Sequence, residues 1–76
     1  MLKYKVGDKF FLDGKHSVCD QRVEIVEIIK AKNKIKTDMY LCIIESDSEC
    51  NGTFGNKGYE IMDDYVLDNC NYVKQN

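Results

Sequence analysis

The chain has 76 residues, with eleven Lys or Arg against thirteen Asp or Glu, a formal charge of −2 and a pI near 5.3. That length makes one small β-barrel domain spanning residues 1–76 the expectation, burying only about 60% of the surface the unfolded chain exposes and leaving little room for an enclosed substrate pocket. The near balance of charge argues against a protein that lives on phosphate contacts, and no apolar stretch is long enough to span a membrane.

Lys3, Lys5, Asp8 and Lys9 interrupt the N-terminus, so it has no apolar signal core and a cytoplasmic protein is expected. The start at Met1 fits a complete small reading frame. Lys, Asn and Ile are abundant while Pro and Trp are absent, a bias typical of AT-rich genomes such as those of low-GC bacteria and their phages.

After a short lead-in, Gly7-Asp8 is a turn signal and residues 9–12 read as a first strand. Residues 13–20 form a polar loop with a tight turn at Asp13-Gly14. Residues 22–31 carry Val23, Ile25, Val26, Ile28 and Ile29. Val23 and Ile25 share one face of a strand, and Glu27 then occupies it. A bulge near Val26 returns Ile28 to the core side. The rival is an amphipathic helix, but the five apolar residues cover more than half a helical wheel and their β-branching favours the strand.

Residues 32–36 are a turn or loop, and residues 38–45 the next strand. Met39, Leu41 and Ile43 line one of its faces and Tyr40, Cys42 and Ile44 the other, so both faces need cover. Residues 46–58 read as a long loop containing the hairpin signal Asn51-Gly52 and then Gly55 and Gly58. Residues 59–62 are a fourth strand. Asp63 caps a helical turn through Asp64-Tyr65-Val66-Leu67, with Asp64 its solvated neighbour, and residues 71–74 are a short last strand. Tyr59 and Tyr65 are expected in the core or at its rim.

The opening Val6-Gly7-Asp8-Lys9-Phe10 and the closing Tyr59, Glu60, Ile61, Asp64, Val66 and Leu67 resemble the Src-homology-3-like small barrel. The resemblance implies an all-β, five-stranded barrel with a short helical turn before the last strand. The Trp and the acidic-aromatic loop of proline-peptide-binding members are missing, as is the basic-plus-glycine motif of ribosomal relatives. Neither function carries over.

Four cysteines, Cys19, Cys42, Cys50 and Cys70, include no Cys-x-x-Cys hook. His16-x-x-Cys19 with Cys50 and Cys70 offers tetrahedral N and S ligands in principle. The simpler reading has Cys42 in the core and the others as reduced thiols, so no metal and no cofactor are expected, and no Cys50–Cys70 disulfide in a cytosol. His16 and Cys19 beside Asp13 and Asp20 also resemble a nucleophile and base, but catalysis needs a pocket to hold them. A polar surface loop explains them better, and no enzyme is expected.

Two charge runs remain. Lys30, Lys32, Lys34 and Lys36 recur at every second residue, as do Glu45, Asp47 and Glu49. Both runs are what solvated loop tips look like, and both also suit electrostatic steering toward a partner. Phe54 sits among glycines with no local cover, as an anchor on a loop would. The expected function is a non-enzymatic protein-binding module, a phage- or mobile-element-encoded inhibitor covering a surface on a host nuclease or defence factor. Its contact residues are Glu45, Asp47, Glu49, Phe54 and Tyr40. The alternative is a nucleic-acid-binding barrel using Lys30, Lys32, Lys34 and Lys36. A homo-oligomer through residues 39–44 is compatible with either.

Overall fold

A computed structural model of the chain describes residues 3–12, 20–32, 37–47, 54–69 and 72–75. The elements run β1 (Lys9–Leu12), β2 (Gln21–Ile29), β3 (Met39–Ser46), β4 (Asn56–Met62), α1 (Asp64–Asn69) and β5 (Tyr72–Gln75). The strands form one antiparallel sheet in the order β4-β3-β2-β1-β5. It is open between β4 and β5 among the described residues, so the architecture is an all-β antiparallel sheet with a short helix before the last strand.

β2 is a strand, and its bulge falls at Val26. Ile25 pairs with Cys42 and Glu27 with Leu41, so Val26 is the extra residue. That one-residue step reverses the alternation. Val23 and Ile25 are buried, Glu27 is exposed, and Ile28 packs back against the core. The lead-in docks beside the bulge: the Gly7 amide donates to Ile25 O at 2.9 Å and the Ile25 amide to Asp8 O at 3.0 Å. Gly7 turns with φ +97°, a conformation that side chains with a Cβ rarely adopt.

The core lies on one face of the sheet. Phe10, Val23, Ile25, Tyr40, Cys42, Met62 and Leu67 are buried there, and Tyr4, Ile28, Ile44, Val66 and Tyr72 pack around them. Helix α1 contributes Leu67 and Val66. The six-residue helix is too short to persist by itself; it is held by its core contacts and by Asp63, whose Oδ1 accepts the Val66 amide at 3.0 Å. Asp38, just before β3, is tied to the residues after β2 by accepting the Ala31 amide at 2.8 Å and the Lys30 ammonium at 3.3 Å. The Ala31 amide and then Lys30 hold its carboxyl below the ordinary carboxylate range.

Three expectations need correction. Gly58 is not in a loop: β4 begins at Asn56, because pairing with Ile44, Glu45 and Ser46 extends the strand toward the hairpin. Asp64 is not simply solvated, since it accepts the Tyr40 hydroxyl. Tyr59 and Tyr65 are neither in the core nor among the residues packed around it, but 71% and 70% exposed. The turn signals Asp13-Gly14 and Asn51-Gly52 lie outside the described residues.

Candidate protein-binding surface

The face of the sheet away from the core is apolar at one end. Strand register sets its composition, because directly opposed residues in an antiparallel pair share a face. Leu41 is opposite Ile61, Ile43 opposite Tyr59 and Glu45 opposite Lys57. Ile29 is opposite Met39 and Glu24 opposite Ile43. The outer surface of β2, β3 and β4 therefore carries Ile29, Met39, Leu41, Ile43, Tyr59 and Ile61 together. The β2 and β3 members are half-buried by their neighbours. Tyr59 and Ile61, on the edge strand, are 71% and 53% exposed. Toward β1 this surface sinks into a groove of about 270 Å³ lined by Phe11, Arg22, Glu24, Ile43 and Glu45. Val73 on β5, opposite Phe11, extends the exposed apolar surface beyond the groove.

The residues expected to form a contact site are scattered relative to this surface. Glu45 is half-buried on the outer face, between Arg22 on β2 and Lys57 on β4. Asp47 is 3% exposed, and its amide donates to Asp20 O at 3.0 Å, so it belongs to the packing at the end of β3. Phe54 is half-buried with the Arg22 guanidinium 3.7 Å from its ring centroid; a cation on the face of the ring covers it. Glu49 lies outside the described residues. Tyr40 is a correction. It is fully buried and offers no surface to a partner.

Tyr40 is instead the centre of a hydrogen-bond clasp that sequence reasoning missed. Its hydroxyl donates to Asp64 Oδ1 and accepts the Tyr4 amide at 3.1 Å. Burial, and then the Asp64 carboxylate, push its phenol up to about 12. The Tyr4 hydroxyl donates to Asp68 Oδ1 at 2.5 Å, and Lys3 Nζ donates to Asp68 Oδ2 at 2.7 Å. The Tyr4 ring meets Phe10 edge-on at 5.0 Å. Lys3 and then Tyr4 hold the Asp68 carboxyl below its ordinary range, while hydrogen bonding to Asp68 raises both the Lys3 ammonium and the Tyr4 phenol. The residues before β1 are thereby fastened to α1 and β3.

Of the lysine run, Lys30 is engaged by Asp38, Lys32 is exposed, and Lys34 and Lys36 lie outside the described residues. His16, Cys19, Cys50 and Cys70 lie outside them too. Cys42 is a buried thiol, pushed up to about 11 by burial and by the Glu60 carboxylate, a setting that suppresses the thiolate. Among the described residues no group of three or more His, Cys, Asp or Glu is placed to hold a metal ion, and no helix is long and apolar enough to cross a membrane.

Comparison of the chain with protein-family models, curated proteins and solved structures gives no match.

Proposed function

We propose that the protein is a non-enzymatic binding module that works by covering a surface on another protein. The observation that supports this best is the exposed Tyr59 and Ile61 on edge strand β4, continuous with Leu41 and Ile43 of β3. A contiguous aromatic and aliphatic patch left in water is what an interface core looks like before its partner arrives. The strands already fix its backbone, so little further ordering opposes docking.

The partner we assign is a host protein, a nuclease or defence factor, and the module acts as a phage- or mobile-element-encoded inhibitor in the cytoplasm. The Lys-, Asn- and Ile-rich composition motivates that source. For the fold we retain the Src-homology-3-like class, as a barrel left open between β4 and β5; five antiparallel strands, the first paired with the last, and a helix before the last support it.

The test is capture from a low-GC bacterial lysate by immobilised wild type and by a Tyr59→Ser, Ile61→Ser double variant, compared by quantitative mass spectrometry at low and moderate salt. The expected result is a protein retained by the wild type and released by the variant. Equal retention by both would remove the support. Retention of nucleic acid, falling steeply with salt, would put the lysine-run alternative in its place.

A further inference from the structure

We infer that β4 receives an added β-strand, an extended segment of the partner protein carrying an aliphatic side chain two residues from a Lys or Arg. This rests on the protein-binding reading above and specifies its chemistry. Strand order leaves β4 at an edge, paired with β3 alone among the described residues. One row of its backbone N–H and C=O groups is therefore turned away from β3, a template for another strand. The edge is seven residues long, against four for β5 at the opposite side.

An incoming strand continues the pleat, so each of its residues shares a face with the β4 residue it opposes. On the outer face it meets Tyr59 and Ile61. On the core-side face it meets Gly58 and Glu60. A Cβ built on Gly58 finds nothing within 4 Å. That space belongs to an open hollow of about 310 Å³. Ile44, directly opposite Gly58 on β3, gives the hollow an aliphatic wall, and Glu60 stands at its rim. Glu60 is exposed and, among the described residues, makes no hydrogen bond or ion pair. An aliphatic side chain opposite Gly58 is buried against Ile44, and a cation two positions along meets Glu60.

A second copy pairing through its own β4 fits less well. The core-side face of β4 carries Asn56, Gly58, Glu60 and Met62, and none of them supplies the cation.

The experiment titrates the isotopically labelled protein with a blocked peptide as long as β4. Thr fills alternate positions of the peptide, and Val and Lys stand two apart on the intervening ones. A matched peptide has Glu in place of Lys. Slowed amide exchange over residues 56–62 is expected, with the Lys peptide bound about tenfold tighter than the Glu peptide. Glu60→Lys should reverse that preference. Gly58→Ile has room for its side chain and suits a strand, so it should fold normally and lose the peptide. Equal binding of the two peptides, protection away from β4, or protection that grows with protein concentration alone would each overturn the inference. If lysate capture survives Gly58→Ile but not the Tyr59 and Ile61 changes, strand addition fails while the binding reading stands.

Discussion

Replacing Tyr40 with Phe removes one oxygen from the place where β3, the lead-in and α1 meet. That oxygen donates to the Asp64 carboxylate and accepts the Tyr4 amide at 3.1 Å. A net contribution of about 1.5–3 kcal/mol for the bond to the charged group and about 0.5–1.5 kcal/mol for the neutral one gives roughly 2–4.5 kcal/mol in all. A core in a domain of this size supplies only about 3–5 kcal/mol of net stability, so Tyr40→Phe should leave the protein barely folded. At about 4–8 °C per kcal/mol for a small domain, Tm should fall by roughly 8–36 °C. Urea unfolding followed by circular dichroism should show a lower midpoint with an unchanged slope. A double-mutant cycle with Asp64→Ala should return a coupling above about 1 kcal/mol, because the two residues act through one bond. A Tyr40→Phe change below about 0.5 kcal/mol, within the range of an ordinary surface substitution, would refute the clasp as a source of stability.

The same hydroxyl predicts a pH dependence. The folded chain holds the Tyr40 proton up to about pH 12, while the unfolded chain releases it near the ordinary value of 10.0. The folded state then binds the extra proton, so this contribution is intact below pH 10 and declines as pH rises to 12, by about 3 kcal/mol in total. Wild-type stability minus that of Tyr40→Phe should shrink over that window in unfolding titrations. On the acid side Asp68 is held below its ordinary range. Its contribution is present above that range and lost as pH falls through the lowered folded value, so Asp68→Asn should flatten the acid limb of the same titration. Asp63→Ala removes the acceptor for the Val66 amide and should cost about 0.5–2 kcal/mol, read as a lower urea midpoint. Ile25→Ala empties a fully buried site and should cost about 2–5 kcal/mol, read as a large drop in the urea midpoint or, at the upper end, as loss of the folded circular dichroism signal at ambient temperature.

Where local chemistry decides structure, the sequence is readable. The β-branched run from Val23 to Ile29 reads as a strand, and Glu27 interrupting its apolar face reads as a bulge at Val26, since only an extra residue returns Ile28 to the core. Asp63 reads as a helix cap because its side chain serves an amide three residues on. The two apolar faces of β3 follow from alternation alone, and one of them became the candidate surface.

What failed depended on partners distant in the chain. Tyr40 read as an anchor because Tyr is common at interfaces, yet its partners are Asp64 and Tyr4, 24 and 36 residues away, and nothing local announces them. Tyr59 and Ile61 have the alternation of a core strand. Their face was fixed only by register, which sets them opposite Ile43 and Leu41 and turns Met62 inward instead. Gly58 read as loop punctuation because glycine usually marks turns; β3 pairing holds it in a strand. The acidic run lost its unity for the same reason, since Asp47 is drawn into packing beside Asp20 while Glu45 stays on the outer face.

The binding reading is tested most directly by amide hydrogen exchange of the labelled protein, free and in complex with the protein it retains from lysate. Slowed exchange concentrated in Asn56–Met62, with residues 30–32 and 37–38 unchanged, is the predicted result. Protection centred on residues 30–32 and 37–38 with β4 unaffected would contradict it.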